Sequence, residues 1–224
     1  MEDNAEGNKV ARTEEERIEE FKDLISKADG TLIPLKKLTS QEKNLFITAR
    51  YLEKPENPED VDVNPWFWGW EDDEYGLPMT SVLLVDVYES DGKQIKPLGH
   101  LDWFLSGDYA NGGGNMHDAS VPKNEHEQLA NRYWHKNDLI AFRVDYGNHR
   151  QGIGSLIVAA SGVVLPTLGV KRFYPGGLLP PAIKTYERFG IRKSDFIGEG
   201  WDRHLPIDKL SQSPQVSKSI SEFI

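Results

Sequence analysis

The stretch from residue 139 to residue 165 constrains this chain more than any other. An apolar run at 139–144 (LIAFRV) passes through 145–155 (DYGNHRQGIGS) into an apolar segment that ends at Pro166. The pattern predicts a strand, a glycine loop and a buried helix. A helix N-terminus exposes unpaired backbone N–H groups and the positive end of the helix dipole. Glycines at 152 and 154 carry no Cβ, so an anion can approach the backbone closely. The physical reading is a pyrophosphate cradle. A Walker A loop is disfavoured, because Ser155 follows Gly154 with no lysine between them. A Rossmann fingerprint is disfavoured too: position 157 is isoleucine where a third glycine belongs. That fingerprint also belongs near the first strand of its fold, not past residue 140.

The rest of the chain frames that stretch. Residues 13–27 carry apolar residues at 18, 21, 24 and 25 with acids in the first turn, which predicts a helix. Thr13 followed by Glu16 fits a capping box, and Gly30 is the expected stop. Residues 31–38 read as a strand. A second helix is expected to restart at 39–42 (TSQE) and run to about Leu52. Residues 54–65 are a loop rich in proline and acid. Trp66, Phe67, Trp68 and Trp70 then read as a hydrophobic plug on the sheet or as one wall of a pocket. Residues 81–88 and 98–105 read as a hairpin. A long polar insert is expected at 106–137, with histidines at 117, 126 and 135. Their spacing matches no helical ligand pair, so no metal site is expected there. Residues 170–174 predict a further strand, and 182–189 a helix that Gly190 ends. One or two closing strands are expected beyond 191. After Asp208 the chain reads as a short helix or a frayed tail.

Charge is unevenly distributed. Residues 1–80 hold 20 acids and 10 bases, while residues 139–193 hold 8 bases and 2 acids inside a chain of net charge −10. The acidic total argues against a nucleic-acid partner, since phosphate contacts need clustered Lys and Arg. The basic stretch reads either as a solvated face or as a site for a polyanion. The chain has no cysteine, which excludes disulfides, thiolate zinc sites and a cysteine nucleophile. A reducing, cytoplasmic setting is the expectation. No apolar run reaches the ~18–20 residues of a membrane helix, so no membrane partner is expected.

Two motifs at this spacing resemble the GNAT family, the Gcn5-related N-acetyltransferases. The family's phosphate loop reads Val-x-x-x-x-Arg/Gln-x-x-Gly-x-Gly/Ala; this chain has Val144, His149, Gly152 and Gly154. The family's next helix reads Ala-x-x-x-Tyr-x-x-x-Gly-Phe; this chain has Ala182, Tyr186, Gly190 and Ile191. The resemblance covers roughly residues 81–200. It implies an α/β (α+β) acyl-CoA fold: a mixed central sheet splayed in the middle, with flanking helices. It further implies an acidic arm and helix at 1–30, a GNAT domain at 31–207 and a polar tail at 208–224.

For the site, the resemblance implies acetyl-CoA as cofactor. The backbone of His149, Arg150, Gln151, Gly152, Ile153, Gly154 and Ser155 would hold the pyrophosphate. The strand edge at Phe142 and Val144 would pair with the pantetheine amides. Tyr186 would protonate the leaving thiolate. The matching position for a general base is Asp138, and His100 and Asp102, two apart on one strand face, are further candidates, with Asp145 a weaker one. The chain departs from the family at His149 and at Leu179, where asparagine is common. The reaction implied is direct attack on the thioester by an amine in a ternary complex, through a tetrahedral intermediate. The acceptor is a small molecule or a protein amine, and the acids at 71–74 would attract such a cation. The rivals are a non-catalytic GNAT-fold module and a modifier of nucleic-acid bases. The insert reads as a lid, a homodimer arm or a partner surface.

Overall fold

The computed structural model describes residues 12–36, 44–53, 81–90, 95–112, 142–144, 152–175, 180–198 and 203–224. Helix α1 (Glu14–Ile25) starts where its capping residues dictate. The Thr13 hydroxyl accepts from the Glu16 amide at 3.2 Å, and the Glu16 carboxylate accepts from the Thr13 amide at 2.9 Å. Such a cap contributes about 1 kcal/mol. Ile18, Phe21 and Ile25 recur at helical spacing and form the buried side of the helix. After the helix the chain reverses through Ala28 and Gly30, both at positive φ. The Gly30 amide donates to Ala49 and the Tyr51 amide to Ala28, which fastens the turn to the next long strand.

That strand corrects one expectation. Residues 44–52 were to be helical; they form β2 (Asn44–Glu53), after the short β1 (Ile33–Leu35). The cause is pairing. Leu45, Ile47 and Ala49 alternate onto one buried face, and every residue of β2 has a register partner in β3 (Ser81–Ser90). A two-residue period with ten cross-strand partners outweighs the modest helix propensity of the segment. Strand β4 (Ile95–Ser106) then pairs with β3 as the expected hairpin, with a bulge at Val87 and Tyr88.

The opening of the expected insert is also a strand. A turn at Gly107 and Asp108 folds β5 (Tyr109–Asn111) back on the end of β4. Strand β6 (Phe142–Val144) pairs with the middle of β4, and β7 (Arg172–Tyr174) runs parallel to β5. Strand β8 (Leu205–Pro206) closes the edge on β7. The path runs β1-β2-β3-β4-β5-β7-β8, with β6 branching from β4. The result is a mixed α/β architecture on an open, mostly antiparallel sheet.

Helix α2 (Ile153–Thr167) is buried on nearly every side and is the centre of the helical layer. It extends one residue past Pro166, which sits in its last turn. Helices α3 (Pro180–Arg188), α4 (Asp208–Ser211) and α5 (Pro214–Ser221) pack against it, as do α1, β3 and β4. Both end segments enter this common core: Ile18, Phe21 and Ile25 from α1, and Leu210, Val216, Ile220 and Phe223 from the last residues. No helix among the described residues is long and apolar enough to cross a membrane.

Candidate functional site

The outer edge of β4 has two partners at two heights. Gly99, His100 and Leu101 pair with β6, while Phe104, Leu105 and Ser106 pair with β5. Asp102 and Trp103 fall between the two pairings among the described residues. Strand β6 is antiparallel to β4. Strand β7 is parallel to β5, which is itself antiparallel to β4. Strands β6 and β7 therefore point the same way, and no pairing joins them among the described residues. The sheet forks beside Asp102.

Seven residues, 145–151, connect Val144 of β6 to Gly152 at the start of α2. Gly152 is the N-cap, with φ of 82°, and provides no side-chain cap. Its left-handed backbone explains the glycine. A Cβ there would also lie 3.3 Å from the Phe223 ring and 3.5 Å from Glu222 Oε2. The first turn of α2 contains no acid. Among the described residues, the amides of Ile153, Gly154 and Ser155 have no hydrogen-bond acceptor; the ladder begins with Leu156 donating to Gly152. Arg188 Nη1 of α3 donates to Ser155 Oγ at 3.2 Å, which brings a cation to this turn. Among the described residues, the arrangement is three N–H donors without an acceptor and a guanidinium beside them. Such a turn attracts an anion through both the free donors and the dipole.

Tyr186 lies two residues before Arg188 and turns the other way, into the common core. Its ring is 1% exposed and its hydroxyl oxygen is buried. Burial pushes the phenol well above its ordinary pKa, so it stays protonated. The indole N–H of Trp103 donates to Ser161 Oγ at 2.9 Å, and Ser161 in turn donates to the Ile157 carbonyl. The Trp103 ring meets Phe173 edge-on at 5.9 Å. These contacts fasten the forked part of β4 to α2 and β7. On the far side of the fork, Arg172 bonds Asp108 Oδ1 at 2.9 Å and lies over the Tyr109 ring. That arginine of the basic stretch is committed to the turn between β4 and β5.

The opposite face of the sheet carries a second constellation. Val82, Leu84, Tyr88 and Phe104 are buried yet lie outside the helical core cluster. Among them stand Asp86 at 5% exposure, His100 at 7% and Asp102 at 0%. The register puts Thr48 opposite Asp86 and Asp86 opposite His100, whose partner in β6 is Arg143. In the next row of this face, Arg50 stands opposite Leu84 and Leu84 opposite Asp102. Directly opposed residues share a face, so polar groups from three strands converge here. The Thr48 hydroxyl is buried and meets no hydrogen-bond partner. No group of three His, Cys, Asp or Glu side chains among the described residues is placed to hold a metal ion.

The structure thus brings His100 and Asp102 together on one buried face. It sets Gly152, Ile153, Gly154 and Ser155 at one helix start, and places Tyr186 in the core behind it. Phe142 and Val144 occupy the strand beside β4. Asp138, Asp145, His149, Arg150, Gln151, Leu179, the aromatic cluster at 66–70 and the acids at 71–74 lie outside the described residues. Sequence reasoning missed Thr48, Arg50 and Asp86; Arg188 was one of the eight bases of the 139–193 stretch. Asp86 was visible as the one acid in an apolar strand, SVLLVDVY. Thr48 and Arg50 were hidden by the helical reading of their segment. No protein-family model matches the chain, and no curated protein matches it.

Proposed function

We propose that this chain is an acyltransferase of the GNAT type that moves an acetyl group from acetyl-CoA to an amine. The observation that carries the reading is the fork beside β4, whose β6 arm leads through seven residues to the glycine-started helix α2. A pantetheine chain needs strand edges to pair with, and its pyrophosphate needs free N–H donors. The fork and the open amides of Ile153, Gly154 and Ser155 are residues of the right kind in the right order. Acetyl-CoA supplies an acyl group already activated as a thioester. The amides would bind the anion and Arg188 would add charge. The protonated phenol of Tyr186 is the form a proton donor must have.

Net charge and proton count follow from the chemistry. A primary ammonium loses two protons on its way to an amide. One ends on the coenzyme sulfur and one passes to solvent. A base on the acceptor side is therefore required, and Tyr186 cannot be both groups.

Calorimetric titration with acetyl-CoA and with CoA tests the reading. The expected result is micromolar binding that Gly154→Glu abolishes, because a carboxylate then occupies the anion's place. Glutamate in the first turn of a helix favours the helix itself, so the variant should fold. Absence of binding at millimolar cofactor would sink the reading.

One observation favours a second reading, a GNAT-fold module without catalysis. The Tyr186 hydroxyl is enclosed in the core, and Glu222 stands near Gly152 where an anion would be repelled. CoA binding with no thiol release across an amine panel would select it.

A further inference from the structure

Two strands share the outer edge of β4. Both β5 and β6 run antiparallel to it; β5 ends at Asn111 opposite Phe104, and β6 begins at Phe142 opposite Leu101. The apex of the fork therefore lies between Asn111 and Phe142. Asn111 is on its closed side, where β5 still joins β4 to β7. The register sets Asn111 between Phe104 and Tyr174 in one row. Directly opposed residues share a face, so an amide stands between two aromatic side chains. Tyr174 in turn meets Phe196 edge-on at 5.7 Å.

The amide oxygen is the anomaly of this row. Asn111 is partly buried, yet its Oδ1 is fully buried and accepts no hydrogen bond. Asp102, in the adjoining row of the same face, is engaged by interactions of its own; Asn111 Oδ1 is not. The backbone beside it is fixed. The Gly112 amide donates to the Tyr174 carbonyl at 2.7 Å, and a Cβ at Gly112 would lie 2.7 Å from the Trp103 ring. A buried acceptor held in place without a donor is costly, and a leucine of similar size would remove that cost. The asparagine is matched to a ligand that brings the donor. Its oxygen is neutral and its row is aromatic, which suits a hydroxyl better than an ammonium.

We propose that Asn111 selects the acyl group of the thioester donor, and that this group is a short hydroxyacyl chain. The proposal rests on the acyltransferase reading and extends its acyl group beyond acetyl. The pantetheine enters along β6, its thioester end reaches the apex, and the acyl chain continues to the closed side. There its hydroxyl donates to Asn111 Oδ1, and its carbons lie against Phe104 and Tyr174. No covalent bond to Asn111 forms. An acetyl group has no donor and leaves the oxygen unpaired. A site built around a hydrogen bond rejects the analogue lacking it far more strongly than an apolar pocket rejects a missing methylene.

The test is calorimetry of the full chain with 3-hydroxybutyryl-CoA against butyryl-CoA, and lactoyl-CoA against propionyl-CoA. Both enantiomers of each hydroxyacyl thioester are used, with CoA as the reference. Each pair has one chain length and differs by one hydroxyl. At least one hydroxyacyl thioester should bind about tenfold tighter than its partner, or more. Asn111→Leu should bring that ratio close to unity. Its thermal midpoint should be unchanged or higher, because an unpaired buried acceptor is gone. If Asn111→Leu does not fold, Asn111→Ala gives the same reading. Ratios close to unity in a wild-type chain that binds CoA overturn the hydroxyacyl proposal and leave acyl transfer standing. A preference that persists in the folded variant overturns the role of Asn111. Absence of CoA binding overturns the acyltransferase reading and this proposal with it.

Discussion

The two faces of the central sheet are both buried, and they are buried by opposite means. On the face that α2 covers, the Trp103 indole finds Ser161, and Ser161 finds the Ile157 carbonyl. On the other face, Thr48 holds a buried hydroxyl with no partner, in line with Asp86 and His100. The first face joins apolar spacing to a matched polar chain at Trp103 and Ser161. The second breaks the rule that buried polar atoms are paired. Foldable sequences break such rules mainly where function requires it. The contrast is more particular to this chain than the helix start, because helix N-termini with free amides occur in every helical protein.

The comparison can be broken most forcefully at its best-packed end. Phe223 is 1% exposed and lies beside Gly152 under the start of α2. If the last residues belong to the helical face, Phe223→Ala should cost about 3–5 kcal/mol, the usual range for a buried aromatic. Urea unfolding would read this as a large drop in midpoint. A change under ~1 kcal/mol would make the segment an appendage. A second pair of variants sets the faces against each other. Ser161→Ala leaves the Trp103 indole N–H buried and unpaired and should cost about 2 kcal/mol. Thr48→Val removes an unpaired hydroxyl at nearly constant volume and should be neutral or stabilise by up to about 1 kcal/mol. Equal losses in the two variants would erase the distinction. A stabilised Thr48→Val beside a destabilised Ser161→Ala would sharpen it.

Much of the helical face was legible beforehand. Thr13 and Glu16 announce the start of α1, and the apolar run after Gly154 announces a helix buried all round. The hairpin of β3 and β4 follows from two apolar runs around a Ser-Asp-Gly turn. The polar face was hardly legible, for a physical reason. Its rows exist only through register, which joins Thr48, Asp86 and His100 across 52 positions of sequence. Residues 44–52 contain a nearly unbroken apolar run at their start, and such a run fits a buried helix and a buried strand alike. Pairing with β3 decides between them. Strand β5 was hidden for the same reason: three residues, Tyr-Ala-Asn, become a strand only because β4 and β7 lie on either side. His100 and Asp102 were legible as a pair because two-residue spacing is local.

The smallest expected effect comes from a carboxylate that solvent reaches, and it calibrates the buried ones. Asp108 bonds Arg172 with both side chains about two-fifths exposed, at 42% and 43%. The hydrogen bond from Arg172 holds the Asp108 carboxyl below its ordinary value of 3.8. A carboxyl whose pKa is depressed by folding adds stability above its unfolded pKa and loses it as pH falls through the folded value. Asp108→Asn should therefore lower the thermal midpoint slightly at neutral pH. The difference from wild type should shrink below about pH 4 and vanish once Asp108 is protonated in the folded chain. Added salt should reduce it further, because exposed pairs are screened. Asp102, with no exposure, gains no such screening from solvent. An Asp102→Asn effect that salt and acid erode as readily as that of Asp108→Asn would show that water reaches the polar face, and the contrast between the faces would fail at its most buried residue.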